Sequence, residues 1–275
     1  MRRLLLGATA IIMIVVFGDP LPLGAASAFA DPAFKTQWQS GEAIAPNFWG
    51  PLANAKAGQQ ESYKGASDGK RLVQYFDKGR MELTDGAVTN GLLATELLTG
   101  RLQLGDNSFE QRRAAEVAVA GDQGSRTTYA VISMVDKVMK PAKQATGRST
   151  AEYLTSYSGS PRNPYPTNYG SIPYPKGAGY PQATNGGFDA VTQHNVPAAF
   201  VAYRNAAGLE TIGYAITEPL WAPVNVGPAE AYVLVQVFER RVLTFTPDNP
   251  PDFQVEMGNV GQHYYRWRYQ MQTSA

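Results

Sequence analysis

The sequence predicts an α+β fold of two related modules, each with a β-hairpin and short helices, joined by a helix and a long Tyr/Pro-rich loop. Three observations predict it. A segment occurs twice: residues 72–83 read LVQYFDKGRMEL and residues 234–245 read LVQVFERRVLTF. Leu-Val-Gln-x-Phe-acid-basic opens both, and Val88 and Gly91 follow the first as Val255 and Gly258 follow the second. A duplicated unit describes two similar modules rather than one large fold. Apolar residues also recur at helical spacing in two stretches, Leu92, Leu93, Leu97 and Leu98, then Tyr129, Ile132, Val135 and Met139. Finally, residues 145–187 are poor in aliphatics and rich in Pro, Tyr, Gly, Ser and Asn, which argues against regular structure there.

The N-terminus sets the compartment. Arg2 and Arg3 precede an almost wholly apolar run from Leu4 to Gly18, and small residues lead to Ala28-Phe29-Ala30 before Asp31. This is the pattern of a secretory signal peptide over residues 1–30. The apolar run is shorter than the ~20 residues of a spanning helix, so no membrane span is expected after cleavage.

Residues 31–110 are the first hairpin-helix module. Phe34, Trp38, Phe48, Trp49 and Leu52 give it a bulky apolar set, and residues 53–70 read as loop. The hairpin turns through Asp77-Lys78-Gly79, and Met81 and Leu83 alternate with Arg80 and Glu82, which makes the apolar pair the inward one. A helix is expected from Asn90 to Leu102 with Gly105 just past its end. Residues 111–144 form a connecting segment whose helix runs from about Thr127 to Lys140 and stops before Pro141. After the 145–187 loop, residues 188–275 form the second module. It holds a helix over Val196–Asn205, a turn and strand over 211–219, the second hairpin, and a closing aromatic segment over 255–269.

Composition excludes several classes. The formal net charge is +1, too small for a nucleic-acid partner held by phosphate neutralisation. The absence of cysteine excludes disulfides, thiol catalysis and a cysteine-linked lipid anchor. Gly65-Ala66-Ser67-Asp68-Gly69 matches G-x-S-x-G, but loop precedes it and a strand follows, the reverse of a nucleophile elbow, so it reads as a surface turn. The two histidines, His194 and His263, stand in no metal-ligand spacing. No catalytic residue, cofactor or metal site is assigned.

Around the second copy, Ile212-Gly213-Tyr214, Glu218-Pro219, Val235-Gln236-Val237-Phe238-Glu239-Arg240 and Val255-Glu256-Met257-Gly258 resemble uncharacterised secreted proteins of Chloroflexota-type bacteria, which carry a gly-tyr-pro-ile-ser-glu segment followed by val-gln-tyr-phe-glu-arg. The layout is more distantly similar to the LGFP repeats of actinobacterial cell-wall proteins. Ala215 stands where the LGFP motif has proline, and the first copy shows no clear LGFP turn. The resemblance implies a secreted or surface-associated bacterial protein with a cell-surface glycan or envelope protein as partner.

The candidate binding residues follow from residue type. Tyr165, Tyr169 and Tyr174 lie in the Pro-rich loop, where exposed rings stack on sugars; the rival reading is tyrosines filling shallow grooves. Gln74 and Gln236 sit mid-strand between apolar neighbours, where an amide bonds to nearby backbone or faces a ligand, and Trp221 lies near Gln236 in sequence. The expected function is non-enzymatic binding in a bacterial envelope. The alternative is a secreted hydrolase of glycan or peptide using carboxylates, with Glu82, Glu96, Glu218 and Glu239 as candidates by type.

Overall fold

A computed structural model describes residues 29–141, 185–247 and 249–271. The protein is α+β, with short helices and antiparallel sheets alternating along the chain. All but the last two residues of the expected signal peptide, and residues 145–184 of the Tyr/Pro-rich loop, lie outside the described residues.

Helix α1 spans Pro32–Glu42. The Asp31 side chain accepts the Ala33 N–H, and Pro32 fills a position whose amide has no intrahelical partner. Strands β1 (Gln59–Ser62), β2 (Lys70–Phe76), β3 (Gly79–Thr84) and β4 (Ala87–Asn90) then form an antiparallel meander. β1 is a strand where composition predicts loop, and its Glu61 is buried against arginines of β2 and β3. Helix α2 (Leu93–Thr99) is shorter than the leucine spacing predicts. Gly100 takes a left-handed conformation at φ 71° and its N–H closes on the Glu96 carbonyl, which ends the helix. Gly105 instead belongs to a second hairpin, β5 (Arg101–Gly105) with β6 (Ser108–Gln111).

The helix expected over 127–140 is broken in two. Thr128 caps α3 (Tyr129–Ser133) by accepting the Val131 N–H. Val135 is extended, and α4 (Asp136–Met139) starts after it, which leaves both Val135 and Val138 buried. In the second half, β7 (Asn185–Asp189) pairs with β8 (His194–Pro197) and leads into α5 (Ala198–Ala207) and α6 (Leu209–Ile212). Residues 213–219, expected as turn and strand, contribute only an isolated bridge between Ala215 and Phe238. Strands β9 (Leu220–Val226), β10 (Ala229–Val237), β11 (Val242–Phe245) and β12 (Val255–Met257) form a second meander, and α7 (Val260–Tyr269) closes the described chain. Both sheets are four-stranded and antiparallel.

The two hairpins pair in the same register. Leu72 faces Leu83 and Gln74 faces Met81 in β2–β3; Leu234 faces Phe245 and Gln236 faces Leu243 in β10–β11. The Leu-Val-Gln-x-Phe motif is explained by burial on both faces of the strand. Side chains alternate across a sheet. Leu72 and Phe76, like Leu234 and Phe238, enter one apolar cluster with Phe34, Trp49, Phe200 and Ile212. Val73 and Tyr75, like Val233, Val235 and Val237, enter another with Leu93, Leu97, Val260, Tyr264 and Trp267. A strand covered on both sides reads as a nearly continuous apolar run. Each cluster draws on both halves of the chain.

The two halves also cap each other. The first turn of a helix has backbone N–H groups without intrahelical partners. In α2 and α7 no side chain caps them; Leu92 and Asn259 take closely similar dihedrals (φ −76°, ψ 45° and φ −78°, ψ 53°). Thr95, third residue of α2, donates its N–H to the Glu239 carbonyl at 3.1 Å, in the turn of the second hairpin. Gln262, third residue of α7, donates its N–H to the Asp77 carbonyl at 3.1 Å, in the turn of the first. Side chains repeat the exchange, Thr95 Oγ1 to the Glu239 carbonyl (3.2 Å) and Gln262 Nε2 to Asp77 Oδ1 (2.5 Å).

Two outcomes follow for stability. Phe76 and Phe238 are 2 % and 0 % exposed, so truncating either to alanine should cost about 3–5 kcal/mol in a denaturant titration. Gly261 gives the sharper test. Replacing a helical glycine by alanine ordinarily stabilises by about 1 kcal/mol. A methyl on Gly261 would lie 2.0 Å from the Phe76 carbonyl oxygen, so Gly261→Ala should lower the unfolding midpoint instead of raising it.

Candidate functional site

Three polar clusters lie inside the described chain. The largest fills the space between the first sheet and α7. Arg80 and Glu82 occupy the face of β3 opposite Met81, the face that alternation alone would leave to solvent; they are 0 % and 5 % exposed. Helix α7 covers them. Arg80 Nη1 lies 3.4 Å from Glu61, its Nε donates to Glu82 at 2.8 Å with Nη2 closer still, and Nη2 is 3.9 Å from Glu96. Arg71 bonds Glu82 at 2.8 Å, and Arg268 of α7 pairs with Glu61 at 3.2 Å. The hydroxyls of Tyr75 and Tyr269 donate to Glu61 at 2.5 and 2.6 Å, and that of Tyr264 to Glu96 at 2.6 Å. The Arg80 guanidinium also stands 4.7 Å from the Tyr264 ring centre.

The carboxyls respond differently. Burial alone would raise the Glu61 pKa, but Arg80, Arg268 and the two hydroxyls outweigh it and hold the group at about 2. Burial dominates at Glu96 and pushes its pKa up, against Arg80 and Tyr264. Three arginines and three carboxyls thus share a covered network that joins β1, β2, β3, α2 and α7. Isolated buried charges are unfavourable, and hydrogen bonds to every member are what make such a network tolerable.

The second cluster surrounds Glu218. Its Oε1 accepts the Asn195 N–H at 3.0 Å and lies 3.2 Å from His194 Nδ1, and its Oε2 accepts from Asn195 Nδ2 at 3.2 Å. Gln236 Nε2 donates to the Asn195 and Thr217 carbonyls, both at 2.7 Å. Gln74 plays a related part in the first half: its Nε2 donates to the Lys56 carbonyl at 3.0 Å, while its Oε1 accepts at 3.0 Å from the N–H of Ala30, the last residue of the expected signal peptide, a bond that a chain cleaved there would lack. Each glutamine ties the segment before a sheet's first strand to the central strand. Both are 0 % exposed.

The third cluster lies between the hairpin turns. Arg241 begins β11's approach and lies over the Trp49 ring at 4.9 Å from its centre. Its Nη2 would be 2.5 Å from a methyl on Gly79, so a side chain there would displace the guanidinium. Setting residues 72–83 against 234–245 aligns Gly79 with Arg241, and Gly79 is not in the left-handed region, where an arginine would be strained. Gly50 and Gly213 are left-handed, at φ 90° and 84°, and a methyl on either would press on the acid of the adjoining turn, Asp77 or Glu239.

The residues singled out from sequence scatter. Tyr165, Tyr169 and Tyr174 lie outside the described residues. Trp221 is 3 % exposed in the cluster with Phe238 and Leu243, and Gln74 and Gln236 bond to the protein's own backbone. Glu82 and Glu96 come together under Arg80; Glu218 and Glu239 do not join them. Ser67 is in a surface turn and donates to Asp85 at 2.5 Å. His263 packs edge-on against Tyr129, with Nδ1 3.1 Å from the hydroxyl. Glu61, Arg71, Arg268 and Arg241 were not legible as site residues. The one signal available was the alignment of Arg241 with Gly79. Among the described residues no group of three or more His, Cys, Asp or Glu side chains is placed to hold a metal ion, and no helix is long and apolar enough to cross a membrane. No family model, curated protein or solved structure matches this chain.

Burial, with Arg266 nearby, depresses His263 from 6.5 to about 4. A depressed histidine stays neutral when folded, so its contribution is present above pH 6.5 and is lost as pH falls towards 4. Unfolding free energy should drop by up to about 3 kcal/mol across that interval from this group. In His263→Gln, which keeps an acceptor for Tyr129, urea titrations over the same pH range should show a smaller fall.

Proposed function

We propose that this is an exported protein of a bacterial envelope that binds a cell-surface polymer or another envelope protein without converting it, and that its two halves are copies of one module. The module reading is supported by the recurring order of helix, four-stranded meander and helix, by the shared hairpin register, and by the matched glutamine and helix-cap contacts. The signal-peptide pattern and the resemblance to secreted bacterial repeats support the compartment.

The observation that carries binding over turnover is the state of the carboxyls. Glu61, Glu82, Glu96 and Glu218 are 4, 5, 2 and 1 % exposed and are bonded to arginine, tyrosine, asparagine or histidine of the same chain. Hydrolysis by paired carboxyls needs both to face a substrate. One observation favours the hydrolase as second reading: Glu61 and Glu96 flank the same Arg80 with pKa values driven in opposite directions, the pattern of an acid–base pair. Their cover by α7 weighs against it.

The test is sedimentation of the full chain with purified bacterial cell walls. Sugar stacking does not titrate, so binding should persist from mildly acidic to neutral pH and survive moderate salt. Replacing Tyr165, Tyr169 and Tyr174 together by alanine should weaken it. Full retention would move the contact to the described surface, where Phe109 and Phe253 are the exposed phenylalanine rings. No wall binding, combined with glycan or peptide turnover that Glu96→Gln abolishes, would establish the hydrolase instead.

A further inference from the structure

Arg241 is the exception among the buried arginines. Arg71 and Arg80 each have carboxylates within 4.0 Å, whereas no ion pair among the described residues involves Arg241, which is 0 % exposed. Its Nη1 donates to the Arg240 carbonyl at 3.0 Å. Nε and Nη2 have no hydrogen-bond partner. These two nitrogens form one edge of the guanidinium, the edge that grips a carboxylate or phosphate with two parallel hydrogen bonds. Leaving a buried charge uncompensated is strongly unfavourable.

A second cation lies in the adjoining turn. Lys78, in the turn of the first hairpin, is partly exposed and close enough for Arg241 to help depress its pKa, behind the larger effect of burial. Lys78 makes no ion pair within 4.0 Å among the described residues, although Glu256, Asp77 and Glu42 act on it from a greater distance. Tyr203 of α5 is the third neighbour, and Glu256 acts on it too. Burial, then Arg240, pushes Arg241 down to about 9, which still leaves it charged at neutral pH. Arg241, from the second half of the chain, thus lies against Gly79, the residue that follows Lys78 in the turn of the first hairpin.

We propose that Arg241 and Lys78 form a binding site for a small oxyanion, a phosphate or carboxylate group, held by the Nε–Nη2 edge of Arg241 and the ammonium of Lys78 between the two hairpin turns. The partly exposed Lys78 and Tyr203 mark the side of entry. The site bridges the halves, so an occupant would tie the hairpin turns together. This inference is independent of wall binding, and its probes are small ions.

The experiment titrates the full chain with phosphate and, separately, with acetate against chloride at matched ionic strength, following thermal unfolding and tryptophan fluorescence. Phosphate or acetate should raise the unfolding midpoint in a saturable way and change the emission of Trp49, which stacks on Arg241. Trp49→Phe should lose the emission change. Lys78→Gln should weaken the anion effect about tenfold, the loss of one charge-assisted contact. Arg241→Gln should abolish it, and Arg101→Gln, on the surface, should leave it intact. A response to phosphate alone or acetate alone assigns the geometry of the oxyanion. Identical midpoints in all three anions, or an equal response in wild type and Lys78→Gln, would show that Arg241 is only a structural cation packed on Trp49. Because Lys78 is partly exposed, that variant decides the matter even if Arg241→Gln does not fold.

Discussion

The reciprocal contact between helix starts and hairpin turns is the constraint on which the rest of the structure depends. A helix without an N-cap side chain leaves its first amides exposed to desolvation unless something else accepts them. Here the acceptors are the turn carbonyls of Asp77 and Glu239, each belonging to the hairpin in the other half. That choice draws α7 across the first sheet and places α2 against the turn of the second. Close approach follows at α7, where Gly261 lies against the Phe76 carbonyl.

Covering the first sheet with α7 has an electrostatic cost. Arg80 and Glu82 lose their solvent, and Glu61 and Arg71 go with them. The protein compensates by adding partners from the covering helix, Tyr264, Arg268 and Tyr269, which bond Glu96 and Glu61 within the network. The second sheet takes a different course. Positions that carry Arg80 and Glu82 in β3 are Val242 and Thr244 in β11, and Val242 enters the apolar cluster. Ionic packing in one half and aliphatic packing in the other reach the same topology.

Much of the architecture was legible in particular residues. The twin Leu-Val-Gln-x-Phe segments located both hairpins and their register, because turn length and pleat leave little freedom once the apolar face is set. The short α2 was not legible: leucine spacing continues to Leu102, and Gly100 alone ends it. β1 was missed because its apolar content is low; its stability comes from Glu61 and from pairing with β2. The paired glutamines were seen, but whether a mid-strand amide meets backbone or ligand depends on which segments pass over it.

The sequence by itself determined the α+β class, two hairpins in matching register and the face of each that carries Met81 or Leu243, because those rest on local period and turn chemistry. Tertiary structure alone decided which helix covers which sheet, that Arg80, Glu82 and Glu96 converge beneath α7, and that Arg241 lies over Trp49 and Gly79. These depend on contacts between residues far apart in the chain. A charged residue reads as solvent-facing until something covers it, and no local pattern encodes the arrival of a helix more than 150 residues away.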